Sequence, residues 1–78
     1  MTKITLNGDA AETAATTLRE LIEQTAEVRL DDAGASIDGA RLGIALAVDG
    51  AVVPRSRWAA TPVNEDSEIE IVTAKQGG

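Results

Sequence analysis

A chain of 78 residues has room for one small domain, and its 44% apolar content suits a folded one, with a single aromatic, Trp58, among the Ile, Val, Leu and Ala that must build the core. Cys and His are both absent, which excludes disulfides, thiolate zinc sites, iron–sulfur clusters and histidine acid–base chemistry. The net charge of -6, from 13 acidic and 7 basic residues, argues against nucleic acid as a partner; it allows a basic protein partner, while the plainer reading is that it aids solubility.

The chain opens without a basic segment followed by an apolar run, and no apolar stretch approaches the ~18 residues of a membrane span. Neither a signal peptide nor a membrane contact is expected, and the cytoplasm is the expected location.

In chain order, residues 1–6 alternate, Ile4 and Leu6 to one side and Lys3 and Thr5 to the other, which predicts a half-buried strand. Asn7-Gly8 then supplies two positions that accept positive φ, the chemistry of a tight hairpin. Residues 9–13 read as a short, Ala-rich second strand. Thr17 followed three residues later by Glu20 is a capping box, and Leu18, Leu21 and Ile22 make one apolar face of a helix from Leu18 to about Thr25 or Glu27. Residues 29–41 hold few apolar side chains and read as a loop, long enough to be either functional or partly disordered.

Residues 42–48 are apolar almost throughout, which predicts a strand covered on both faces. Asp49-Gly50 repeats the hairpin signal, residues 51–53 return, and Pro54 stops the ladder because it has no N–H to donate. Residues 55–63 read as irregular. In residues 68–73 Ile69 and Ile71 alternate with Glu68 and Glu70, which predicts the last strand.

This order of elements describes a two-layer α+β domain: a mixed four- or five-stranded sheet with one main helix. If the first and last strands pair in parallel at the centre, the arrangement is the β-grasp, or ubiquitin-like, fold. The β-grasp domain is expected to span residues 1–73. Ala74, Lys75, Gln76, Gly77 and Gly78 form a flexible tail after it.

That tail suggests a chemistry. Glycine lacks Cβ, so a Gly77-Gly78 backbone enters a narrow channel without clash. A carboxylate on Gly78 is unhindered and ionised at neutral pH, its reference pKa being about 3.3–3.7. Attack on the α-phosphate of ATP gives an acyl-adenylate, and a sulfur donor that displaces AMP leaves a thiocarboxylate. No cysteine in the chain is needed.

The run Val48-Asp49-Gly50-Ala51-Val52-Val53-Pro54-Arg55-Ser56-Arg57-Trp58 resembles the "N/D-G-x-x-V-P-R-x-x-W" segment of the ThiS family, the sulfur carriers of thiamine thiazole biosynthesis within the ThiS/MoaD ubiquitin-like group. The last strand with its Gly77-Gly78 tail, the opening strand with Asn7-Gly8, and Thr17 ahead of Leu18, Leu21 and Ile22 are similar to that family too. The likeness covers about residues 1–28 and 42–78, and residues 29–41 are longer than is usual there. The resemblance implies a β-grasp fold and a carrier that is not itself an enzyme. It implies adenylation of Gly78 by a ThiF-like adenylyltransferase, its conversion to a thiocarboxylate with a sulfur donor protein, and sulfur delivery to a ThiG-like thiazole synthase. No bound cofactor or metal is implied, and ATP is consumed by the activating partner.

Other residues admit two readings each. Trp58 is either a partner anchor or a core residue under a loop, and the need of a small chain for large apolar side chains favours the core. Arg55 and Arg57 either meet an acidic partner groove or are solvated, so Arg55 and Trp58 stand as a candidate partner surface. Ser36, Ser56 and Ser67 have no His to activate them. Asp31-Asp32 and Glu65-Asp66 lack the spacing of a calcium loop and read as turns. Three rival functions remain: a MoaD-like sulfur carrier of molybdopterin synthesis, a ubiquitin-like protein modifier, and an interaction module whose tail is incidental. The run from Pro54 to Trp58 favours thiamine over molybdopterin.

Overall fold

The computed structural model describes residues 1–37 and 43–73. The strands are β1 (Thr2–Leu6), β2 (Asp9–Thr13), β3 (Ile44–Val48), β4 (Ala51–Val52) and β5 (Glu68–Thr73), with one helix, α1 (Leu18–Ala26), and a 3-10 helix at Arg55–Ala60. They form one five-stranded sheet in the order β2-β1-β5-β3-β4. β1 and β5 pair in parallel at the centre, Thr5 beside Glu68 and Leu6 beside Ile69, while the other neighbours are antiparallel. This is the β-grasp arrangement that the element order predicts.

Both hairpin turns have the expected chemistry. Asn7 and Gly8 sit at φ 51° and 86°, and Asp49 and Gly50 repeat those values. Two positive φ values in succession match the right-handed twist of the flanking strands. Helix α1 starts where Thr17 caps it, its hydroxyl accepting from Glu20 N–H at 3.3 Å. The reciprocal half of the box is shifted by one residue. The Glu20 carboxylate accepts from Thr16, from both its N–H at 3.2 Å and its hydroxyl. The helix ends at Glu27, which takes φ 55° and closes its N–H on Glu23 O.

The core lies between α1 and one face of the sheet. Leu18 and Ile22 are fully buried with Leu46, Ile69 and Trp58, and Ile4, Leu21, Leu30, Ile44 and Ile71 complete the cluster. Each such side chain contributes roughly 1.5–3 kcal/mol of burial. One helix covers one face only, so the opposite face is open. Hence β3 is not covered on both faces. Ile44 and Leu46 point into the core while Ala45 is exposed, because alanine is small enough to face solvent without leaving a large apolar patch. Leu42 lies outside the described residues.

The segment after Pro54 is also more ordered than its irregular pattern suggests. Arg55–Ala60 winds into a 3-10 helix because Trp58 turns inward to the core, where its indole N–H donates to Val53 O at 2.9 Å. The loop after α1 is anchored as far as it is described. Leu30 is buried and bridges to Ser36, and the Asp31 carboxylate accepts from Ala33 and Ala35 N–H. Arg19 reaches Asp32 at 2.6 Å. Gly34, at φ 80°, lies against the backbone of Arg55, which leaves no room for a side chain.

Candidate functional site

Of the residues singled out by sequence, Ala74, Lys75, Gln76, Gly77 and Gly78 lie outside the described residues. What the structure does define is the root of that tail. β5 is the central strand, bonded to β1 on one side and β3 on the other, and it ends at Thr73, which pairs with Ile44. Five residues follow Thr73. Fully extended, five residues reach about 17 Å. A pull on the tail therefore acts on a strand bonded on both sides.

The hairpin tips brace β5 further. Asn7 N–H donates to Ile69 O at 2.9 Å, and the Asn7 side-chain carbonyl accepts from Ile71 N–H at 2.8 Å. Asp49 does the same at the other end, donating its N–H to Glu68 O at 2.7 Å and accepting at Oδ1 from Glu68 N–H at 2.9 Å. Sequence reading marks Asn7 and Asp49 as turn residues only. Their grip on β5 depends on which strand lies beside each turn, which no local pattern encodes.

The open face of the sheet surrounds this root. On this face of β5 stand Glu68, Glu70 and Val72, all exposed, the last opposite Ala45 on β3. Ala47 stands between Glu70 and Val52 of β4. Val72 and Val52 are 61% and 75% exposed. Glu12 and Asp66 are exposed as well, with Lys3 beside Glu12, so this side carries more acidic than basic side chains around a small apolar strip.

Arg55 and Trp58 are not a joint surface. Trp58 is 1% exposed and belongs to the core, so it presents nothing to a partner. A small core without Phe or Tyr has no other residue of that volume to fill its centre. Arg55 is half-buried with its guanidinium 5.8 Å from the centroid of the indole, a cation–π distance, and Arg57 is exposed.

The acidic pairs make turns and contacts. Asp31 caps its own loop, Asp32 meets Arg19, Glu65 accepts from Lys3 N–H at 3.1 Å, and Asp66 takes φ 64°. Among the described residues no group of three or more His, Cys, Asp and Glu is placed to hold a metal ion. No helix among them is long and apolar enough to cross a membrane. The carboxyl of Glu20 is perturbed in its ionisation. Hydrogen bonds from Thr16, hydroxyl first and backbone second, hold it below its ordinary value, and they serve the helix cap.

Among the described residues, then, the part of the candidate site that the structure defines is β5, held on both sides and ending at Thr73. Comparison with known proteins places the chain in a family. The ThiS family model matches residues 4–78. The chain belongs to the ThiS family. Its coarse role follows from that membership: a small, ubiquitin-like sulfur carrier. The crystal structure of the thiamine biosynthesis protein ThiS from Geobacter metallireducens has the same fold, with a TM-score of 0.66 over 97% of this chain and 99% of that one, at 19% sequence identity. No curated protein sequence matches the chain.

Proposed function

We propose that this ThiS-family chain carries sulfur for thiazole formation in thiamine biosynthesis, with the carboxylate of Gly78 as the carrying group. A ThiF-like adenylyltransferase consumes ATP. An oxygen of the Gly78 carboxylate attacks the α-phosphorus, pyrophosphate leaves, and the acyl-adenylate forms. Sulfur at the sulfide level from a donor protein then attacks the acyl carbon and displaces AMP, leaving a thiocarboxylate. A ThiG-like thiazole synthase takes that sulfur. The body is a co-substrate that presents the tail and contributes no catalytic group, and it works in the cytoplasm, where ATP is available.

The observation that carries this reading is the family match running through Gly78, on a chain whose β5 ends at Thr73, five residues before Gly78 in the sequence. The absence of His and Cys is consistent with chemistry done at a carboxylate by partner enzymes. The acidic open face beside the root suits a basic groove on such a partner, because complementary fields speed encounter. Thiamine rather than molybdopterin is supported by the run Pro54, Arg55, Ser56, Arg57 and Trp58.

The experiment is pyrophosphate release with a ThiF-like enzyme and ATP, followed by intact mass after a sulfur source is added. Release dependent on the carrier, then replacement of one oxygen by sulfur, is expected. Release with no sulfur uptake, and conjugates to protein lysines instead, would favour the modifier reading.

A further inference from the structure

The strand that leads to the tail is bonded unequally along its β1 side. The parallel ladder runs from Thr5 N–H to Ser67 O and from Asn7 N–H to Ile69 O, each at 2.9 Å, and β1 then turns away at Asn7-Gly8. One more rung follows. Asn7 Oδ1 accepts from Ile71 N–H at 2.8 Å, so a side-chain carbonyl stands where the next backbone carbonyl of a longer β1 would stand. Among the described residues this is the last hydrogen bond that β5 receives from that side. Ile71 is two residues before Thr73, the last residue of β5.

We infer that Asn7 is a positioning residue for the root of the tail: its amide carbonyl holds the end of β5, Ile71 to Thr73, in place on the β1 side, and this held root presents Gly78 to the activating partner. The consequence for the reaction rests on the carrier reading, whereas the geometry does not. Without the Asn7 bond, β5 beyond Ile69 is hydrogen-bonded by β3 alone, and the end past buried Ile71 can swing about that edge. While the body is docked, the orientation of the root sets which channels the tail can be threaded into.

Two observations single out Asn7. Its φ of 51° is a state that Asn and Asp adopt far more readily than other side chains. Glycine tolerates it better still but has no carbonyl to offer. Asp49 pairs a positive φ with the same side-chain acceptance at the entrance of β5, so the device occurs twice and only the Asn7 copy is near the tail.

Three variants of the full chain separate positioning from stability. Asn7→Gly keeps the turn and removes the acceptor, and Asn7→Asp keeps both. Asp49→Gly removes the equivalent bond at the entrance of β5. Amide exchange at Ile71 should rise roughly threefold to tenfold in Asn7→Gly, the worth of one such bond, and stay near wild type in Asn7→Asp. In pyrophosphate release with a ThiF-like enzyme, Asn7→Gly should lower kcat several-fold with KM for the carrier nearly unchanged. Asn7→Asp should restore kcat, and Asp49→Gly should leave it alone despite its lost stability.

Unmoved Ile71 exchange in Asn7→Gly would overturn the geometric claim. Faster exchange with unchanged kcat, or an equal kcat loss in Asp49→Gly, would overturn the positioning role. If the wild-type chain supports no pyrophosphate release, the carrier reading falls and presentation to the partner with it, while the exchange result still decides the geometry.

Discussion

Replacing Gly34 by alanine probes the contact that pins the loop after α1 to the 3-10 helix. An added Cβ would lie 2.6 Å from Arg55 O, 2.7 Å from Arg55 Cβ and 3.0 Å from the Arg55 carbonyl carbon. These atoms belong to, or sit directly on, the backbone of a turn that buried Trp58 holds, so they cannot swing aside as a side-chain tip does. Gly34 also sits at φ 80°, where any Cβ is strained. The left-handed conformation costs about 1–2 kcal/mol and the forced contact about 1–3 kcal/mol, roughly 2–5 kcal/mol together. A domain of this size has about 4–12 kcal/mol in total, and each kcal/mol shifts Tm by roughly 4–8 °C. Gly34→Ala should therefore melt at least about 10 °C below wild type. Gly8 and Gly50, at φ 86° with nothing within 4 Å of an added Cβ, carry the conformational cost alone. Gly8→Ala should lose about 1–2 kcal/mol. Thermal and urea unfolding followed by circular dichroism measure both variants. A Gly34→Ala loss no larger than that of Gly8→Ala would show that the loop does not pack on Arg55.

Ile69, 1% exposed at the centre of the sheet, should cost roughly 2–5 kcal/mol when cut to alanine, and a denaturant midpoint within error of wild type would contradict its place in the core. Trp58 is the only Trp in a chain without Tyr, so its emission reports one site: it should be blue-shifted in the folded protein and move to the red at the same urea concentration as the loss of helix. A red, solvent-like spectrum in the native state would place it on the surface. Glu20, held below its ordinary pKa by the Thr16 bonds, stabilises the fold above its unfolded pKa, and that contribution is lost as the pH falls through the lower folded value. Glu20→Gln should thus be less stable than wild type at neutral pH, with the gap closing as the pH drops through and below the ordinary carboxylate range. A gap that is constant with pH would remove the carboxylate from the cap.

Much of this architecture is legible in the sequence because it rests on short-range chemistry. Asn7-Gly8 and Asp49-Gly50 force their turns, Thr17 starts α1 regardless of what packs on it, and the alternation through Ile69 and Ile71 can serve only a strand with one covered face. The central parallel pair of β1 and β5 follows from the order of elements once one helix must cross the sheet. The features that sequence reading misses depend on distant partners. Arg55–Ala60 is helical because Trp58 finds the core and Gly34 closes over Arg55, and neither contact leaves a periodic pattern. Ala45 reads the same whether covered or open, since alanine is tolerated in both settings. Leu30 is one apolar residue in a polar stretch, too little to mark an anchor before its neighbours are known. For the site the balance is reversed. Gly77-Gly78 and the run up to Trp58 carry the proposed chemistry, while the described residues add where β5 ends and what holds that end.

The most direct test of the carrier account is intact mass of the wild-type chain and of a Gly78 deletion after incubation with a ThiF-like enzyme, ATP and a sulfur source. Deletion moves the carboxylate back one residue onto Gly77 and leaves the folded body as it was, so unfolding curves of the two proteins should coincide. The account predicts that the wild-type mass rises by the exchange of one oxygen for sulfur, and that the deleted chain stays at its starting mass. Sulfur uptake by the deleted chain at the wild-type rate would contradict it.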